Sequence, residues 1–112
     1  MADLNELRDE IYSDAVAHGL WNEAEALRVW AYCGKRTKYA IDRVRREDCA
    51  MRIRDEVEEL YDEAHNENNY TEELADVIIT ALSAAGYLGI DIEKAVREKM
   101  EINRGREWRH GK

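Results

Sequence analysis

The sequence predicts an all-α fold, a bundle of four to five antiparallel helices. The 112 residues include no proline and only six glycines, so few residues interrupt a helix. Apolar residues recur every three to four positions along the chain, which is the period of an amphipathic helix. Hydrophobic residues make up 45% and charged residues 38%, a mixture that suits a modest core under a charged surface. We expect one domain over residues 1–112. Residues 23–47 form a lengthened segment within it, and residues 105–112 form a polar tail.

The first two predicted helices occupy the N-terminal third. Residues 3–18 carry apolar side chains at helical spacing, and His18-Gly19 is expected to end that helix. Asn22 is a candidate N-cap for a second helix, which should continue to about Cys33 before Gly34 interrupts it.

The next two helices form the clearest part of the pattern. One is predicted over residues 37–66 and the other from about Tyr70, joined by a polar turn at 65–69. Gly86 and Gly89 are expected to loosen the end of this helix, and Asp91 to cap a last one. The expected core stripes are Ile53, Val57, Leu60, Tyr61 and Ala64, then Leu74, Val77, Ile78, Ala81, Leu82, Ala85 and Leu88, then Ile92, Ala95 and Val96.

Two acidic pairs flank the core stripes of the two central helices. At about 100° per residue, Glu56 and Glu59 fall on one flank of the Val57 stripe. Glu73 and Asp76 fall on one flank of the next stripe, and Thr80, Ser83 and Tyr87 continue that strip. A short connection makes consecutive helices antiparallel neighbours, so the two pairs could meet. Carboxylates held close together repel, and a hard cation such as Mg²⁺ relieves the repulsion.

Charge and composition restrict the possible partners. A net charge of −8 argues against general nucleic-acid binding. Residues 35–54 nevertheless carry eight basic and three acidic side chains, either a solvated helix face or a surface that meets a small anion such as a polyphosphate. Cys33 and Cys49 have no metal or redox spacing, and no apolar run reaches the length of a membrane span. We therefore expect a cytoplasmic protein with no membrane partner.

Two motifs carry a resemblance to a known family. The run Asp55-Glu56-Val57-Glu58-Glu59 resembles the E-E-x-x-E motif of the MazG-like all-α NTP pyrophosphohydrolases, and Glu73-Leu74-Ala75-Asp76 resembles their downstream E-x-x-D. Lys99 and Asn103 are similar to the family's C-terminal helix, and His18-Gly19-Leu20-Trp21 to an upstream element of some members. The resemblance covers mainly residues 50–112. Asp55, Thr80 and Ser83 depart from the usual residues of the family.

The resemblance implies a fold of the all-α NTP pyrophosphatase type, completed by a homodimer or homotetramer. It implies hydrolysis of nucleoside or deoxynucleoside triphosphates to a monophosphate and pyrophosphate. Glu56, Glu59, Glu73 and Asp76 would hold Mg²⁺, with Mn²⁺ as a substitute. Glu56, Glu59 and Asp55 would form the catalytic group, in which Glu59 and Asp55 are the candidates for the general base.

Substrate contacts are expected at both ends of the chain. Lys99 and Asn103 are the phosphate contacts that the resemblance implies, and Arg106 follows them at helical spacing. Trp21 and Tyr87 are candidates for an aromatic wall beside the base, and Thr80 lies along the same strip as the acids.

Two other interpretations of the carboxylates are compatible with the sequence. A di-iron carboxylate bundle also uses inward acids, but its E-x-x-H pairs are only partly matched here, at Asp62/His65 and Glu107/His110. A non-enzymatic acidic adaptor would leave the carboxylates as solvated surface.

Overall fold

The computed structural model describes residues 3–25 and 38–106. Four helices are complete within them: α1 (Leu4–Ala17), α2 (Lys38–Asp62), α3 (Glu67–Leu88) and α4 (Ile92–Arg104). Residues 22–25 are also helical, whereas the rest of the predicted second helix and the last six residues of the predicted tail lie outside the described residues. The described residues contain no strand, which confirms the all-α fold.

The α2–α3 hairpin has a shorter turn than the sequence predicts. The turn occupies residues 63–66, and α3 begins at Glu67, so the expectation of a non-helical 67–69 was wrong. The Tyr70 amide donates to the Asn66 carbonyl oxygen at 2.8 Å, closing the first helical turn. Glu67 lies in that turn, where a negative charge interacts favourably with the helix dipole.

Helix α3 is the central element, since it packs against both α1 and α2, while α4 packs against α1. The buried core lies where the second half of α3 packs against α1, residues 21–25 and the middle of α2. Its members are Ala15, Trp21, Ala24, Cys49, Ala84 and Tyr87, with Tyr12, Ile53 and Leu88 packed around them.

Gly86 allows α1 and α3 to approach closely. A Cβ atom at this position would lie 2.6 Å from the Cβ of Tyr12, so a larger residue would push the helices apart. The expectation that Gly86 loosens the helix end was wrong, because α3 continues through it to Leu88. The helix ends instead at Gly89, whose φ of 69° is the left-handed conformation of a helix C-terminus.

The N-termini of α1 and α4 cap each other. Asp91 accepts from the Lys94 amide at 3.1 Å, which confirms its predicted role. Asn5 Oδ1 accepts from the amides of Ile92 and Glu93 at 2.9 and 3.2 Å, and the Glu93 carboxylate accepts from the Leu4 amide at 2.9 Å. These bonds satisfy amides that a helix start leaves without partners.

Parts of the predicted stripes remain exposed in the single chain. Val57 is 44% exposed and Ile78 is 53% exposed, although both were expected in the core. Ala95 and Val96 of α4 are also exposed, contrary to the inward orientation expected for them. Among the residues that the structure describes, α1 and residues 21–25 pack against the C-terminal half of α3, and none of them forms a covering layer over the turn end of the α2–α3 hairpin.

Only a combination of helices reaches the dimensions of a membrane span. Among the described residues, no single helix is long and apolar enough to cross a bilayer. Helices α3 and α4 pass by length and composition only when taken together, across a bend of 115°.

Candidate functional site

Three carboxylates meet in the part of the α2–α3 hairpin that lies next to its turn. Glu56 and Glu59 project from α2 and Glu73 from α3, and each offers an oxygen within 4.8 Å of the others. The meeting follows from the hairpin: a short turn makes the two helices antiparallel, so residues before the turn face residues after it. We call these three residues the acidic cluster.

The acidic cluster contains a carboxylate oxygen without a partner. Glu73 Oε2 is buried and accepts no hydrogen bond from any residue that the structure describes. Glu56 and Glu73 are partly buried, while Glu59 is exposed. An unpaired buried carboxylate oxygen is costly, and a divalent cation satisfies it.

Burial and mutual repulsion act on two members of the cluster. Burial raises the pKa of Glu56, and the neighbouring charges of Glu59, Asp76 and Glu73 raise it further. Burial also raises the pKa of Glu73, with the charges of Glu59 and Asp76 acting in the same direction. Both groups therefore resist ionisation unless a positive charge joins them.

Asp76 and Asp55 lie at the edge of the acidic cluster. The Asp76 charge acts on Glu56 and Glu73, but Asp76 does not belong to the set of oxygens within 4.8 Å. Asp55 is exposed and lines a pocket that also contains Glu56 and Glu59. The structure thus brings together three of the four predicted metal ligands and places the fourth beside them.

The pocket has a volume of about 590 Å³ and extends from the acidic cluster towards α1. Its walls combine acids, hydroxyls, one guanidinium and apolar side chains. The lining residues are Ile11, Asp14, Ala15, His18, Leu20, Trp21, Arg52, Asp55, Glu56, Glu59, Ile79, Thr80 and Ser83. Thr80 and Trp21, two of the predicted substrate contacts, therefore both line the pocket.

Trp21 is held firmly in the pocket wall. Its indole ring stacks on the Tyr87 ring with centroids 4.3 Å apart and planes within 7°. Its Nε1–H donates to Ser83 Oγ at 3.0 Å. The Arg52 guanidinium lies 4.9 Å from the Trp21 ring centroid, and the Arg45 guanidinium lies 4.6 Å from that of Tyr87. A guanidinium thus lies against each of the two stacked rings.

The other predicted substrate contacts lie outside the pocket lining. Tyr87 is buried beside Trp21 and supports that ring. Lys99 and Asn103 lie on α4, and Arg106 follows its end, where Arg106 Nη1 donates to Asn103 Oδ1 at 3.4 Å. Direct substrate contact by these four residues stays a prediction.

Several lining residues were not singled out as site residues from the sequence. Arg52 belongs to the basic run 35–54, which had an equally good interpretation as a solvated face. Its position one turn before Glu56, on the same flank of α2, was the available signal. Asp14 and His18 come from the end of α1, and sequence spacing alone gives no sign that α1 faces the acids. The His18 Nδ1 and the Asp14 carbonyl oxygen lie 2.7 Å apart and form a hydrogen bond.

Comparison with known proteins gives one short match. Over 36 residues the chain is 53% identical to a protein of Cyanophage S-2L named dATP/dGTP diphosphohydrolase. The match covers 32% of this chain and 34% of that protein, so the chain matches about a third of the length of this curated relative. No protein-family model matches the chain. No solved structure matches it. The name of this short match gives partial support to the resemblance that the motifs carry.

Proposed function

We propose that this protein is a Mg²⁺-dependent hydrolase that cleaves nucleoside or deoxynucleoside triphosphates to a monophosphate and pyrophosphate. The observation that carries the proposal is the acidic cluster, with its buried, unpartnered Glu73 oxygen, at the edge of a pocket. The name of the short cyanophage match supports a nucleoside triphosphate as the substrate. The resemblance of the acidic motifs supports cleavage between the α and β phosphates.

The donor set of the acidic cluster suits Mg²⁺ or Mn²⁺. Hard divalent cations prefer carboxylate oxygens, and Mg²⁺ keeps coordination positions open for substrate phosphates. Glu56, Glu59 and Glu73 would hold the ion, with Asp76 adjacent to complete the ligand set. A bound ion would neutralise charge on the phosphates and lower the pKa of an attacking water. The described residues offer no histidine among the three clustered ligands, which favours Mg²⁺ over a di-iron centre.

The pocket supplies the rest of the binding site. Its volume of about 590 Å³ lies within the range of small-molecule sites. Asp55 and Glu59 are the candidates to accept a proton from water, since both line the pocket, Glu59 within the acidic cluster and Asp55 next to it in sequence. Thr80 adds a hydroxyl to the wall. Lys99, Asn103 and Arg106 do not line this pocket, and phosphate contact by them, within one chain or from a second copy, stays a prediction.

A second copy of this chain is the proposed cover for the exposed hairpin. Val57, Leu74 and Ile78 are each more than two-fifths exposed on the α2–α3 hairpin. Apolar side chains in such numbers on one hairpin are typical of an interface. A two-fold dimer would bury the same stripe on both copies. Sedimentation of the wild type as a dimer, and of Ile78→Lys as a monomer, would support this assembly.

The activity is tested by incubating the purified protein with Mg²⁺ and a panel of ribonucleotide and deoxyribonucleotide triphosphates. Ion-exchange chromatography then resolves the products. We expect a monophosphate and pyrophosphate in equal amounts. Release of orthophosphate, or turnover of no nucleotide, would contradict the proposal. The alternative function is a non-enzymatic acidic binding module in the cytoplasm, which predicts no turnover and little response to Mg²⁺.

A further inference from the structure

One helical turn before the acidic cluster on α2, Arg52 presents its guanidinium to the pocket. Trp21 is only 6% exposed, because Tyr87, Ser83 and Arg52 surround its ring. Trp21 therefore offers little free ring surface to a ligand. The Arg52 side chain is 30% exposed and lines the pocket, so its guanidinium is accessible to a ligand there.

Arg52 is held in one orientation by two acceptors. Its Nε–H donates to Asp48 Oδ2 at 2.9 Å, and Nη1 donates to the Leu20 carbonyl oxygen at 3.1 Å. A guanidinium has five N–H donors in a planar fork. Within the described residues these contacts occupy the Nε–H and one N–H of Nη1, and leave the other N–H of Nη1 and both of Nη2 without an acceptor. Arg52 is thus a preorganised donor with capacity for a ligand.

The position of Arg52 along α2 assigns it to the nucleoside end of the pocket. It precedes Glu56 by one helical turn and Glu59 by about two, which is about 10 Å along the helix axis from Glu59. On the facing helix, Thr80 and Ser83 follow Glu73 in the same order. A nucleotide whose phosphates lie at the acidic cluster would extend its base towards Arg52.

The charge of Arg52 is already balanced. Asp48 pairs with it through the short Nε contact, so Arg52 attracts an anion less strongly than an unpaired cation would. Its directed N–H donors remain and suit a neutral acceptor edge. The O6 and N7 atoms of guanine form such an edge and match the arginine fork, whereas adenine places an amino donor at position 6.

We propose that Arg52 is a specificity-determining residue that reads the O6/N7 edge of a 6-oxopurine nucleotide, carrying guanine or hypoxanthine. This inference rests on the proposed function and extends it to the class of base. A lysine at the same position would keep the charge but lose the fork.

The test compares kcat/KM for dGTP, dITP, dATP and 7-deaza-dGTP in the wild type, Arg52→Gln and Arg52→Lys. Arg43→Gln is the matched control, because Arg43 pairs with Glu47 on the same helix but does not line the pocket. We expect wild type to prefer dGTP and dITP. In both Arg52 variants, kcat/KM should fall roughly 5- to 150-fold for these two substrates, which is the range that one bidentate base contact supplies. For dATP, kcat/KM should change little. In the wild type, kcat/KM should be lower for 7-deaza-dGTP, which lacks N7, than for dGTP. In Arg52→Gln this difference between the two substrates should disappear.

An equal loss on all four nucleotides would overturn the inference, because it would mean a phosphate contact or a scaffold role. Unchanged preferences would overturn it as well. If the wild type hydrolyses nothing, the proposed function fails, and calorimetric binding of dGMP and dAMP decides the role of Arg52 separately. Tighter binding of dGMP that Arg52→Gln abolishes supports it, and equal or absent binding contradicts it.

Discussion

Glu59 of α2 and Glu73 of α3 bring carboxylate oxygens within 4.8 Å of each other across the hairpin. The two residues are separated by the turn at 63–66 and belong to helices of opposite direction. Like charges at this distance repel, and the partial burial of Glu73 strengthens the effect.

In the metal-free protein, we expect the acidic cluster to lower the free energy of unfolding as the pH rises. The pKa values of Glu56 and Glu73 are raised above 4.5 in the folded chain, so the folded state binds protons more tightly than the unfolded state. Their contribution to stability is therefore largest below about pH 4.5 and falls as the pH rises through the raised values. Glu73→Gln should raise the Tm of the metal-free protein at pH 7 and change it little at pH 4.

Glu58→Gln is the control for this measurement. It removes the same charge from an exposed position on α2 outside the cluster. Thermal melts in EDTA at both pH values would separate a local effect from a change in net charge. Equal Tm shifts for the two variants would argue against repulsion inside the cluster.

Mg²⁺ should stabilise the wild type more than Glu73→Gln. A ligand that binds only the folded state stabilises it by about 2.7 kcal/mol at one hundred times its Kd. Scanning calorimetry with and without Mg²⁺, with Ca²⁺ for comparison, measures the shift. An identical shift in both proteins would place any bound ion elsewhere.

Gly86→Ala should destabilise the fold. The added Cβ meets Tyr12, and overpacking of this kind costs about 1–3 kcal/mol. Gly105→Ala is the matched control, because a Cβ there has no atom nearer than 3.7 Å. Urea unfolding of both variants gives the comparison. Equal stability would mean that α1 and α3 can separate without loss of packing.

Asn5→Ala should weaken the junction of α1 and α4. Its side chain accepts from two amides of the first turn of α4, and loss of an N-cap costs about 0.5–2 kcal/mol. Asn68→Ala, at an exposed position on α3, serves as the control. Hydrogen exchange of the Ile92 and Glu93 amides should accelerate in the Asn5 variant only.

Much of the fold and part of the site could be predicted from the sequence. Helical periodicity and the scarcity of breakers gave the all-α class, and the spacing of Glu56, Glu59 and Glu73 placed them on facing flanks. The beginning of α3 was missed because Asn68 and Asn69 are poor helix formers, yet both belong to its first turn, which begins at Glu67.

Other features depend on tertiary packing, which helical spacing does not encode. From the sequence, Gly86 is predicted to loosen the end of the helix, whereas in the structure it allows the close contact with Tyr12. Asn5 has no special role in the sequence pattern, whereas in the structure its side chain caps the first turn of α4. Arg52 was hidden in a basic run, and only the stack on Trp21 distinguishes it from the solvated arginines beside it.

We propose that the acidic cluster is a metal-dependent catalytic centre. The decisive measurement is the Mg²⁺-dependent rate of pyrophosphate release from the best nucleotide substrate, for the wild type, Glu56→Gln and Glu58→Gln. We expect Glu56→Gln to lose activity with its helical circular dichroism unchanged, and Glu58→Gln to keep wild-type activity. Full activity in Glu56→Gln, or equal loss in both variants, would contradict it.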